Sequence, residues 1–172
     1  MSHGARLRKP ASLVLLASLG VSALALLPAG AEHFDMIISV KSQKDYAESP
    51  WDTYPPPDGR NPRPSLTAVR GEELQLEWRA RSEYPHGTMK NVVMRLFAVR
   101  IPKVGADLPP DESPPRIFDN TITGDFLPKH SARGSLRFRF SEPGVYLVRL
   151  QDEGTMPGHD HDHFTALDVK VE

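Results

Sequence analysis

Three histidines and two aspartates alternate in His159-Asp160-His161-Asp162-His163. In an extended chain, every second side chain projects to the same side, with neighbours roughly 6.5 to 7 Å apart. The three imidazoles then share one side, and two of them are close enough to share one ion. Asp160 and Asp162 point the other way and are not assigned as ligands. Two other readings compete with metal binding. A polar loop of this composition is also simply solvated, and His163 has the parity of Leu167, which suits a hydrogen-bonded histidine at the edge of a core. Neighbouring imidazoles titrate near pH 6.5, so the cluster would also gather charge in mild acid.

The chain contains no cysteine. Thiolate ligands, thiol nucleophiles, disulfides and a blue-copper centre are therefore excluded. Nitrogen and thioether donors without thiolate suit copper best, with nickel or zinc also acceptable. Catalytic motifs are absent from the sequence: it has no Gly-x-Ser-x-Gly elbow, no glycine-rich phosphate loop and no His-Glu-x-x-His. Glu72 and Glu73 are consecutive, hence on opposite faces of a strand. The expectation is a protein that is not an enzyme.

Arg6, Arg8 and Lys9 precede the apolar run ASLVLLASLGVSALALLP, which ends at Ala29-Gly30-Ala31. That order matches the charged, apolar and small-residue regions of a cleavable secretion signal over residues 1–31. It implies export to a periplasm or the exterior, with no membrane association beyond the signal. Cleavage after Ala31 would make His33 the second residue, next to a free amine that chelates copper. Cleavage one residue later would place Glu32 where a small residue is required. Of 21 basic and 22 acidic residues, three bases and no acids fall in the signal, so 18 bases face 22 acids, a net charge of −4 over 32–172. A mildly acidic surface does not attract nucleic acid or anionic lipid.

The elements that must position these groups are strands. Residues 32–172 are enough for one domain, and 15 of the 17 prolines lie there, which disfavours long helices. The segments between prolines alternate with period two. Leu74, Leu76, Trp78 and Ala80 share one face of LQLEWRA, with Gln75, Glu77 and Arg79 on the other. Leu136, Phe138 and Phe140 alternate with Arg137 and Arg139, before Glu142-Pro143-Gly144-Val145, which suits a type II turn. VYLVRLQ and the terminal HFTALDVKVE pair as neighbours. NVVMRLFAVRI is apolar on both sides except at Arg95 and Arg100, which places it centrally with its second face partly covered. Phe34–Val40 and Leu66–Arg70 are weaker strands, and Ile117–Phe126 is marginal. Two proline-rich insertions interrupt the pattern. Residues 49–64 carry Trp51 and Tyr54, read as covering an edge or the end of the core. Pro102–Pro115 reads as a surface loop.

These cues predict an all-β antiparallel sandwich of seven or eight strands. Their order, a GEELQLEW strand after a glycine, a long central strand, then EPGVYLVRL and a terminal strand, resembles the immunoglobulin-like superfold over residues 66–172. Tyr146 resembles its tyrosine-corner position, whereas the inter-sheet cysteine pair is lacking. The resemblance implies that the loop before NVVMRLFAVRI and the loop before the last strand share one end. That brings His86 toward His159, His161 and His163. Two functions follow as expectations. One is an exported binding module for a protein or cell-surface ligand, acting through loops or an edge strand. The other is a small metal-binding protein with copper, zinc or nickel on those four histidines.

Overall fold

The computed structural model describes residues 34–49, 63–84, 87–106, 108, 115–153 and 163–172. Among them, nine strands and no helix are formed: β1 (Phe34–Lys41), β2 (Tyr46–Glu48), β3 (Ser65–Ala68), β4 (Leu74–Ser82), β5 (Met89–Ile101), β6 (Arg116–Phe126), β7 (Ser131–Phe138), β8 (Gly144–Asp152) and β9 (Phe164–Val171). They build two sheets, ordered β2-β1-β4-β7 and β3-β9-β8-β5-β6. All pairings are antiparallel except β3 with β9, which is parallel. The all-β sandwich is as the alternation predicts. One strand, β2, is additional, and the marginal Ile117–Phe126 segment is a full partner of β5.

Alternation produces the core directly. Ile38, Val40, Leu74, Leu76 and Ala80 from one sheet meet Met94, Leu96, Val148, Leu150, Leu167 and Val169 from the other, each almost fully buried. Burying side chains of this size contributes roughly 1.5 to 3 kcal/mol apiece. A run of rings crosses the interior: Phe118 and Phe138 at 4.9 Å, Phe138 and Phe140 at 5.2 Å, and Phe140 stacked on Tyr146 at 4.0 Å. Tyr146 Oη donates to the carbonyl of Glu142, 2.9 Å away. This is the bond that a tyrosine-corner residue makes to backbone a few positions upstream. Gly144 sits at φ +152°, more extended than the third position of a type II turn. The turn is therefore open, with the Glu142 carbonyl held by the phenol.

β5 lies inside its sheet, between β8 and β6. Its second face is apolar for a reason. Phe97, Val99 and Ile101 form a separate small core with Leu147 and Ala166, against which Ala106, Leu108, Val145 and Phe164 pack. The Pro102–Pro115 insertion is thus more than a surface loop, since its first part covers the outer face of the five-stranded sheet. Arginines complete the cover: the Arg149 guanidinium lies 3.9 Å over the Phe164 ring and that of Arg116 4.4 Å over Phe97.

On the opposite sheet, Trp78 is the Cα partner of Gly134 across β4 and β7. A Cβ at Gly134 would lie 2.6 Å from the indole Nε1 and 2.8 Å from Cε2 and Cζ2. Glycine is required there because the indole occupies the space of a side chain. Gly134→Ala is expected to lower stability by about 1 to 3 kcal/mol, measured by urea unfolding. In a Trp78→Leu background the same change should cost almost nothing. An equal cost in both backgrounds would place the strain elsewhere.

Candidate functional site

Side chains of the four-stranded sheet that do not enter the core form its outer face, and the strand registers fix which of them stand together. Asp35 is level with Arg81 and Ser131, then Ile37 with Arg79 and Arg133, Ser39 with Glu77 and Ser135, and Lys41 with Gln75 and Arg137. Glu48 and Tyr46 of β2 extend the last two rungs, beside Ser39 and Lys41. Four rungs spaced two residues apart cover about 20 Å along the strands.

Three depressions lie along this face. The central one, about 630 Å³, is lined by Ile37, Ser39, Glu48, Glu77, Arg79, Arg133 and Ser135, with the strand positions Trp78 and Gly134. A second, about 550 Å³, shares Arg79 and adds Asp35, Arg81 and Ser131. A third, about 250 Å³, lies at the other end between Lys41, Gln75 and Arg137, with Ser42, Gln43 and Glu73. Together they make a shallow polar trough parallel to the strands.

Its electrostatics are mixed, with five bases and, counting Glu73, four acids along the lining. Lys41, Arg79, Arg81, Arg133 and Arg137 face Asp35, Glu48 and Glu77. Glu73 takes Arg137 at 3.6 Å and Arg139 at 3.1 Å, and Arg81 pairs with Glu83 at 2.9 Å. Glu48 accepts the Tyr46 phenol at 2.6 Å, and this bond raises the tyrosine's pKa above its ordinary value, keeping the phenol protonated. Gln75 Nε2 donates to Glu77 at 3.0 Å. At the end of the trough, Asp45 accepts the amides of Thr67 and Tyr46, and Glu72 those of Gln43 and Val69. These bonds hold both carboxyls below the usual range and fix the turns around the trough.

The other outer face is closed by one residue. Asp168 on β9 is Cα partner to Leu147 and Ser65, on the outer side of the five-stranded sheet, yet it has no solvent exposure. Its Oδ1 accepts Arg63 Nε at 3.1 Å and its Oδ2 accepts the Gly105 amide at 2.6 Å. Arg63 also reaches the carbonyl of Ala106. One carboxylate thereby ties the end of the first proline-rich insertion to the start of the second.

Of the sequence-predicted metal residues, His86, His159 and His161 lie outside the described residues, as do Trp51 and Tyr54. His163 precedes β9 and is 6% exposed. Its amide donates to Asp152 Oδ1 at 2.8 Å, and its carbonyl accepts the Asp152 amide at 3.0 Å. Its parity with inward Thr165 and Leu167 places it at the edge of the core. Among the described residues no group of three histidine, aspartate or glutamate side chains is arranged to hold a metal ion. The expected placing of the loops does hold at their described ends. β5 begins beside the end of β8, with Met94 level with Asp152, so the β4–β5 and β8–β9 connections leave from one rim. His130 belongs to the same rim, where its carbonyl accepts the Ser82 amide at 3.0 Å.

No protein-family model matches the chain, and no curated protein matches it. Among solved structures, the C-terminal domain of wzt is similar at 11% identity, over 78% of this chain and 70% of that one, with a TM-score of 0.44. A family 123 glycoside hydrolase from Clostridium perfringens is similar at 13% identity over 63% of this chain, with a TM-score of 0.38. This chain spans 23% of the hydrolase.

The closed face rests on Asp168, so Asp168→Asn is expected to remove about 3 kcal/mol of stability. It should also speed hydrogen exchange of the Gly105 amide, while exchange along β1 and β4 slows or quickens only with global stability. An unchanged Gly105 amide would show that the cover is held by packing alone.

Proposed function

We propose that the chain is an exported, non-enzymatic binding module that lays a polymeric cell-surface ligand along the outer face of its four-stranded sheet. The asymmetry of the two faces carries this reading. One outer face carries an apolar cluster on which Ala106 and Leu108 pack, whereas the other is polar, indented by three depressions and, among the described residues, uncovered. Shallow, open depressions lined by serine, glutamine and charged side chains offer many hydrogen bonds and little enclosure. They suit an extended ligand that stays partly wet, and they give little of the desolvation that perturbs catalytic groups. The ligand surface is thus a sheet face, where the sequence pointed to loops or an edge strand. The signal-like residues 1–31 supply the export, and the ligand is then one met outside the cytoplasm.

The test is to fill the trough. Ser39→Trp with Ser135→Trp places two rings in the central depression at exposed or half-exposed positions. Against a panel of soluble acidic and neutral polysaccharides, the unaltered chain is expected to bind at least one with a Kd of about 1 mM or tighter. The doubly substituted chain, with an unaltered thermal midpoint, should lose that binding. Binding that survives the filled trough would move the site elsewhere.

A second reading, a metal-binding rim, draws support from the common origin of the β4–β5 and β8–β9 connections and from His163 at that rim. His86, His159, His161 and His163 would then hold copper, zinc or nickel. Calorimetry on tag-free protein tests it: stoichiometric micromolar binding that His161→Ala abolishes supports the site. Weak binding spread over unrelated histidines overturns it.

A further inference from the structure

Resting on the trough as the ligand surface, we propose that its ligand is a carboxylate-bearing polysaccharide, one of whose carboxylates is seated between Arg79 and Arg133. These two arginines are directly opposite each other on adjacent strands, on the same exposed face, and both line the central depression. Like charges placed directly across a strand pair are destabilising. The third member of their rung is Ile37, which offers no opposite charge. Among the described residues, the Arg133 side chain has no hydrogen bond or ion pair, whereas Arg79 has a partner of its own. The Arg133 guanidinium thus adds an unpaired positive charge beside Arg79 in the central depression of an open trough, on a chain whose net charge from residue 32 onward is negative. A carboxylate between two guanidiniums relieves the repulsion and gains charge-assisted, bidentate hydrogen bonds.

The neighbouring rungs specify the rest of the ligand. Ser39 and Ser135 flank Glu77 on the next rung, with Glu48 beside Ser39. Carboxylates and hydroxyls in this order accept from and donate to ligand hydroxyls, and they repel a polymer that carries an anion at every unit. This selects against nucleic acid, which presents phosphates without interruption. An extended peptide is disfavoured too. The trough lies on a sheet face rather than at an edge, so no backbone ladder is offered, and it has no deep apolar pocket to receive side chains. A chain with many hydroxyls and spaced carboxylates matches both kinds of rung.

Affinity electrophoresis of the full chain in gels containing polygalacturonate, dextran or poly-L-glutamate, together with flotation on phosphatidylglycerol vesicles, tests the assignment. Polygalacturonate is expected to retard the chain, and added salt to weaken the effect. Dextran, poly-L-glutamate and the vesicles should bind far less. Arg133→Gln and Arg79→Gln should each weaken polygalacturonate binding about tenfold or more, whereas Arg70→Gln, off the trough, should not. Arg133→Gln should also leave the thermal midpoint unchanged or raise it, because it removes a repulsion, so loss of binding cannot come from unfolding. Equal binding of dextran that the filled trough still abolishes would overturn the carboxylate seat and leave the trough as the ligand surface. Stronger binding of poly-L-glutamate or of vesicles would overturn the polysaccharide assignment. Polygalacturonate binding indifferent to both arginines, or no binding to any probe, would overturn the proposal.

Discussion

A carboxylate cannot be taken out of water unless other groups replace the hydration it loses. Asp168 meets that requirement on the outer side of a sheet, which is an unusual place for a fully buried acid. Its partners come from two segments far apart in sequence: Arg63 before β3 and the Gly105 amide after β5. Because both must converge on one residue of β9, the chain between β5 and β6 is drawn back over Phe97, Val99 and Leu147 and closes that face. The consequence reaches the far side of the molecule. A two-layer sandwich has two outer faces, and with one partly covered by its own insertion, the outer face of the four-stranded sheet is the one left open among the described residues.

That second face is kept open by the same economy of side chains. β7 turns small residues, Ala132 and Gly134, toward the interior, and the indole of Trp78 lies over Gly134 in place of a side chain. A bulkier residue at 134 would push the indole outward or spread the sheets. Gly134 leaves the indole its space, while the antiparallel ladder of β4 and β7 puts Arg133 level with Arg79 and Ser135 level with Glu77.

Much of this architecture was legible before any coordinates, for a definite reason. Leu74, Leu76 and Ala80 alternate with Gln75, Glu77 and Arg79 because one face is buried and the other wet, and the sequence records that difference at each step. The two-sided apolarity of NVVMRLFAVRI likewise records its central place and its cover. Tyr146 was legible as an inward residue of its strand, and its phenol bonds the Glu142 carbonyl. β2 was not, since three residues are too few to alternate. The beginning of β7 was hidden because its inward positions are alanine and glycine, which carry little hydrophobic signal. The depth of Asp168 was hidden as well: alternation puts it outward with Ala166 and Lys170, and nothing local tells that an arginine 105 positions earlier covers it.

The candidate trough shows where such reading stops. Gln75, Glu77, Arg79 and Arg137 were visible as outward-facing, and each taken alone reads as ordinary solvated surface. What sets them side by side is lateral order: β4 lies between β1 and β7, so residues separated by 34 to 62 positions in the chain become neighbours at about 5 Å. Lateral order is a property of long-range pairing, which leaves no period in the sequence. The histidine cluster had the opposite character, with its chemistry written in five consecutive residues and its placement dependent on loops. The rim that those loops leave from is fixed by the pairing of β5 with β8. Local composition therefore signals metal chemistry strongly and places it weakly, whereas the sheet places its surface residues strictly and signals their chemistry only once the strands are set side by side. Arg79 opposite Arg133 is the clearest instance: neither arginine is notable in its own strand, and only the pairing of β4 with β7 puts the two like charges side by side.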